Sequence, residues 1–129
     1  MSRENVELLR RWLWAFENDT AAFRGLLHPE IEWFPFEENR TPVHGVADAV
    51  RNRNEWLATW DEHRFDLEEV IEQRDSVIAL IHITARGKTS GAKVDVRFHA
   101  QFKVRDGRVV YIFDHPNRAA ALQAAALQE

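Results

Sequence analysis

The 129-residue sequence predicts an α+β fold, a curved antiparallel sheet with helices gathered on one face. Three observations point there. Apolar residues recur at helical spacing through about residue 62, and from Arg64 the pattern changes to alternation of period two. Asp106-Gly107 then divides an alternating run, 94–104, from a second strand rich in Val, Tyr, Ile and Phe, 108–114, as the tight turn of a hairpin would. Such a turn needs positive φ at both central residues, which Asp and Gly tolerate.

Taken from the start, residues 4–16 form an amphipathic helix. Val6, Leu9, Leu13 and Phe16 share one side, Trp12 widens that stripe, and Arg3, Glu7, Arg10 and Glu17 hold the other. Ser2 stands where a cap belongs. Asn18-Asp19 breaks the helix, and Asp19 or Thr20 starts a second one that runs to residue 27, before His28-Pro29. Residues 30–36 read as a short strand burying Ile31, Trp33 and Phe34, with Pro35 marking an edge or a strand end. The polar stretch 37–45 is a loop. A third helix spans 46–62 with a stripe of Val46 or Ala47, Val50, Trp56 or Leu57, and Trp60; residues 51–54 are its solvated side. Strands cover 65–70 and 77–85, broken at 74–76, and 88–92 make the next turn. Asn117 caps a closing Ala-rich helix, 118–127, with few large apolar groups.

Size and composition bound the function. The length suits a single domain, 1–129, with one core. A formal net charge of −4 disfavours a nucleic-acid surface. There is no cysteine, so disulfides and thiolate metal sites are excluded. The six histidines show no metal-ligand spacing, and no metal or other cofactor is expected. The charged start lacks a signal-peptide core and no apolar run is long enough for a membrane span, so the expected location is cytoplasmic.

The hairpin carries the candidate chemistry. A plain two-residue turn sets Val104 opposite Val109, Phe102 opposite Tyr111 and Ala100 opposite Phe113. The other face then pairs Lys103 with Val110, Gln101 with Ile112, and His99 with Asp114. An imidazole beside a carboxylate can take a proton next to a carbonyl and return it elsewhere. The same pair on a solvated face would be an ordinary ion pair of well under ~1 kcal/mol. Between a sheet and its helices lies the usual place for a small-molecule cavity. Five tryptophans occur in this short chain. Trp12, Phe16, Trp33, Trp56 and Trp60 would either fill the core or line that cavity for a flat apolar or aromatic ligand. His82, Gln101 and Ile112 are further candidate ligand contacts, with His82 and Arg86 facing inward or outward according to the register of the 88–92 turn. If Asp114 looks into the cavity, Phe102, Tyr111 and Phe113 lie on the outer face, where a second copy of the chain would cover them.

Several stretches in this order resemble the nuclear-transport-factor-two-like superfamily in its SnoaL-like, ketosteroid-isomerase-like branch. They are HPEIEWFPF at 28–36, VHGVADAV at 43–50, ARGKTSGAKVDVRFHAQFKVRDGRVVYIFDH at 85–115 and AAALQAAAL at 119–127. The resemblance implies a cone-shaped, cystatin-like α+β barrel with three N-terminal helices and a short C-terminal one, often a homodimer. It implies no single reaction, since the superfamily holds isomerases, polyketide cyclases, epoxide hydrolases and members without known activity. Asp114 falls where many members carry a last-strand acid. The Arg-x-Asp of the epoxide hydrolases is missing, because Lys88 follows Arg86 at that spacing. The helical Tyr of ketosteroid isomerases is missing too, the only tyrosine being Tyr111. The cyclase pattern of an acid with a nearby His suits His99 and Asp114 better. Two expectations follow: a cofactor-free isomerase or cyclase for an apolar carbonyl compound, or a non-catalytic ligand-binding or dimerisation module.

Overall fold

The structure is a computed structural model that describes residues 3–35 and 41–127. Ser2 and part of the expected 37–45 loop lie outside the described residues. Ten elements follow in order: α1 (Arg3–Asn18), α2 (Thr20–Gly25), β1 (Leu27–Phe34), β2 (Val43–His44), α3 (Gly45–Thr59), β3 (Trp60–Gln73), β4 (Ser76–Gly87), β5 (Lys93–Arg105), β6 (Arg108–His115) and α4 (Arg118–Leu127). The strands form one six-stranded sheet in the order β2-β1-β6-β5-β4-β3. Neighbours are antiparallel except β1 and β6, which run parallel.

α1 buries Leu8, Leu9, Trp12, Leu13, Ala15 and Phe16, the stripe its spacing predicts. Asp19 caps α2 by accepting a hydrogen bond from the Ala22 amide at 3.0 Å, and Asn117 caps α4 through the Ala120 amide at 2.8 Å. α2 ends at Gly25, two residues before the expected stop, because the chain turns at Leu26 into β1. α3 likewise ends at Thr59. Trp60 is extended (φ −112°, ψ 137°) and opens β3, so it belongs to the sheet rather than to the helix stripe. Arg53, expected on the solvated side of α3, is buried. Its guanidinium donates to the Phe16 and Ala15 carbonyls at 2.8 and 3.2 Å, satisfying the end of α1.

The core sits between the inner face of the sheet and α1 to α3. Phe23 (fully buried) packs on Trp12 and Phe16 with ring centroids 5.5 Å apart in both pairs. α4 crosses the opposite face, where its Ala121 and Ala125 pack against Ile78. No described helix is long and apolar enough to cross a membrane.

The hairpin turns as Asp-Gly requires, with φ of 55° at Asp106 and 72° at Gly107. Its ladder differs from the plain hairpin. Val104 pairs with Val109, but Lys103 then pairs with Tyr111, leaving Val110 as the extra residue of a β-bulge. Beyond the bulge, Phe102 pairs with Ile112, Gln101 with Phe113, Ala100 with Asp114 and His99 with His115. A slip of one residue exchanges the two faces, and every expectation for residues 111–115 relative to β5 changes with it.

Candidate functional site

A cavity of about 240 Å³ lies between the inner face of the sheet and helices α1 and α3. The sheet contributes Phe65, Ile81, Ile83, Val94, Val96, Phe98 and Phe102, all on the same face because strand residues two apart share one. The helices contribute Trp12, Phe16, Asn52 and Trp56, and Trp33, Pro35, Trp60 and Asp114 complete the wall. The five aromatic residues singled out from the sequence are therefore brought together. Trp12 meets Phe102 edge-on at 5.3 Å and Trp33 at 5.9 Å, while Trp56 lies 5.5 Å from Trp60.

Among the described residues Asp114 is the one carboxylate in the lining, and only 6% of its surface is exposed. Burying a carboxylate among hydrocarbon is costly unless polar groups meet it. One such group is the Trp33 indole, whose Nε1 donates to Oδ2 across 3.4 Å. β6 places the acid there, and its parallel neighbour β1 places the indole there through the pairings Trp33 to Ile112 and Phe34 to Phe113.

His99 is not part of this site. With His115 opposite it, its ring lies on the other face of the sheet from Asp114, so the expected cross-strand dyad does not form. The bulge at Val110 is the physical reason. Nδ1 of His99 is buried with no hydrogen-bond partner among the described residues. Burial holds the imidazole below its ordinary pKa of 6.5; Glu69 opposes that shift and Arg118 adds to it.

Three other candidate contacts also fall elsewhere. Gln101 is fully buried on the outer face, donating to Ser76 Oγ at 3.0 Å, with its Oε1 2.9 Å from His115 Nε2. His82 points outward to Asp95 at 2.7 Å and Glu68 at 3.6 Å, and Arg97 joins the same cluster through Glu68. Arg86 is outward too, bound by Asp61 and Glu62. Ile112 shares the inner face with Asp114 but is packed into the core without lining the cavity. Phe102 is corrected in the opposite sense, since it lines the cavity where the outer face was expected. Tyr111 and Phe113 do lie outside, in contact with Phe34.

Sequence reasoning missed Asn52 and Pro35, which line the cavity. The apolar alternation of 81–83 and 94–98 carries a signal for the remaining wall residues, but only the pairing register assigns them to it. Sequence reasoning also missed an acid–imidazole contact between α1 and β3. Glu17 at the end of α1 holds His63 Nδ1 at 2.7 Å and accepts from the Phe65 amide at 2.8 Å. Their separation of 46 positions leaves no local signal. Among the described residues no group of three His, Asp or Glu side chains is placed to hold a metal ion.

Comparison with known proteins places this geometry in a lineage. No curated protein matches the chain. A protein from Jannaschia sp. CCS1, described as a candidate SnoaL-like polyketide cyclase, is 20% identical, with 100% of this chain and 98% of that one covered at a TM-score of 0.77. TerC, crystallised with polyporic acid, is 20% identical over 95% of this chain and 98% of its own, with a TM-score of 0.74. A Catenulispora acidiphila protein with a ketosteroid isomerase-like fold, in complex with trimethylamine, is 12% identical over 93% and 92%, with a TM-score of 0.76. At these identities the likeness is one of fold. The SnoaL-like domain model matches residues 9–112, four-fifths of the sequence, and the chain belongs to the SnoaL-like domain family.

Proposed function

We propose that the chain binds a compact, flat, mostly apolar carbonyl compound in the cone and moves a proton on it through Asp114 alone. The observation that carries this reading is a buried carboxylate, the single one among the described lining residues, in an aromatic cavity. A dry apolar cavity of about 150 Å³ accepts benzene, so about 240 Å³ suits a molecule of one to two rings. Ionised Asp114 takes a proton from the carbon next to the carbonyl, and the electron pair passes to the carbonyl oxygen. The carboxylic acid so formed returns the proton at another carbon, which is isomerisation, or the enolate carbon closes on a second carbonyl. No cofactor is required for either outcome. The co-crystallised small molecules of structural neighbours support a ligand-holding role for the cone.

The test is exchange of the hydrogens flanking the ketone of 2-tetralone for deuterium, followed by NMR in D2O. Accelerated exchange by the wild type and its loss in Asp114→Asn are expected. Equal rates with the two proteins, or no acceleration by either, would overturn proton transfer.

A second reading, ligand binding without turnover, is favoured by one observation: among the described residues, besides indoles, only Asp114 and Asn52 bring polar side chains to the lining. Under this reading the tetralone binds but exchanges no faster than in buffer. As for partners, Phe34, Tyr111 and Phe113 form a half-buried aromatic patch on the outer face that suits a second copy of the chain. Light scattering at micromolar concentration should give twice the 15.1 kDa chain mass; monomer alone would remove the dimer.

A further inference from the structure

Two of the indoles in the cavity wall have donors with nothing to bind. Trp12 and Trp60 both line the cavity, and Nε1 of each is buried with no hydrogen-bond partner among the described residues. An indole N–H can only donate, so neither can be satisfied by rearranging its own role. Buried donors in folded proteins nearly always find an acceptor, and those that do not call for an explanation. Asp114 and Asn52 bring acceptors to the wall, but neither bonds these two nitrogens. Trp12 is enclosed by Phe16, Phe23, Phe102 and Trp33 at centroid distances of 5.3 to 5.9 Å. Trp33, the neighbouring indole, spends its own N–H on Asp114. Trp12 therefore packs against the indole that holds the carboxylate, the ring centroids 5.9 Å apart. Trp60 is less enclosed and lies at the start of β3, beside Trp56.

We propose that Trp12 is the donor that binds the ligand's oxygen, so that the cavity selects molecules with a hydrogen-bond acceptor beside the atom facing Asp114. This rests on the cavity being the ligand site and adds to it a requirement: a ketone or similar acceptor is bound in preference to a hydrocarbon of the same shape. If the proton transfer proposed above takes place, the same N–H faces the oxygen on which negative charge gathers, where a fixed donor is most effective.

The experiment uses the full chain labelled with ¹⁵N, titrated with 2-tetralone and separately with tetralin, its hydrocarbon counterpart. The Trp12 indole resonance is assigned by its disappearance in Trp12→Phe. We expect 2-tetralone to move that resonance downfield and tetralin to leave it without a downfield shift. We further expect Trp12→Phe to weaken tetralone binding about tenfold more than it weakens tetralin binding, the scale of one hydrogen bond. Binding of both probes with no downfield movement of Trp12, or an equal loss of both in the variant, would overturn the assignment and leave the cavity reading intact. Failure of both probes to perturb any lining tryptophan would overturn both. If the variant is unstable, the indole resonance is assigned by triple-resonance experiments on the wild type, and its titration alone decides the outcome.

Discussion

The two faces of the sheet bury polar groups in opposite ways. On the inner face the carboxylate of Asp114 meets an indole and a wall of aromatic rings around open space. On the outer face, beneath α4, Gln101, Ser76 and His115 are linked at 2.9 to 3.0 Å and buried, and His99 lies beside them. Closed polar networks fix a packing arrangement; a polar group facing room for another molecule is available for binding. The same pair of strands carries both, and one extra residue decides which side each group takes.

Four predictions sharpen or break that contrast, in order of expected size. The largest lies inside: Asp114→Asn should lower proton exchange on 2-tetralone by about 10²-fold or more, the scale of general acid–base catalysis, while tetralin affinity is retained. Loss of tetralin binding in parallel would mean that the substitution had damaged the cavity instead. Next comes the outer face, where Gln101→Ala removes the shared partner of Ser76 and His115 and leaves a gap. Chemical denaturation should show a loss of about 2–4 kcal/mol with ligand affinity unchanged. A change in affinity at unchanged stability would join the two faces functionally.

Trp33→Phe should have a smaller effect, about 1 kcal/mol of stability for the lost indole bond, because the aromatic packing is kept. Its useful readout is the pH profile of tetralone exchange, which should move if Trp33 positions Asp114 and stay put if the indole only fills space. The smallest effect concerns His99, whose folded-state pKa lies below its unfolded value near 6.5. The folded state then binds fewer protons than the unfolded state between those two values. Stability from the neutral ring is thus present above about 6.5 and is lost as pH falls through that window. Thermal melts from pH 7.5 downward should show this decline, reduced in His99→Gln. A decline of the same size in that variant would assign it to other groups.

Much of the architecture is legible in the sequence, because each element has its own local signal. Period 3.6 marks α1, the Asp19 and Asn117 caps mark α2 and α4, and Asp106-Gly107 marks the hairpin with both φ values positive, as found. The cavity aromatics are legible too, since they sit on apolar stripes. What is not legible is relative register. Val110 has no feature that distinguishes a bulge residue from an ordinary strand residue, yet it moves His99 away from Asp114 and brings Phe102 inside. Trp60 follows the helix stripe by spacing but starts a strand, because the end of α3 carries no Gly or Pro to announce the change. Arg53 reads as a surface charge and is buried because the end of α1, far away in sequence, needs its donors. Contacts made across 37 or 46 positions leave no local trace.

The account depends most on the separation of His99 from Asp114 by the sheet. Cross-strand nuclear Overhauser contacts in the 94–115 hairpin measure this register directly. The account predicts Ala100 opposite Asp114, His99 opposite His115 and Phe102 opposite Ile112. Contacts placing His99 opposite Asp114 and Phe102 opposite Tyr111 would contradict it, because they would remove the bulge and restore the dyad.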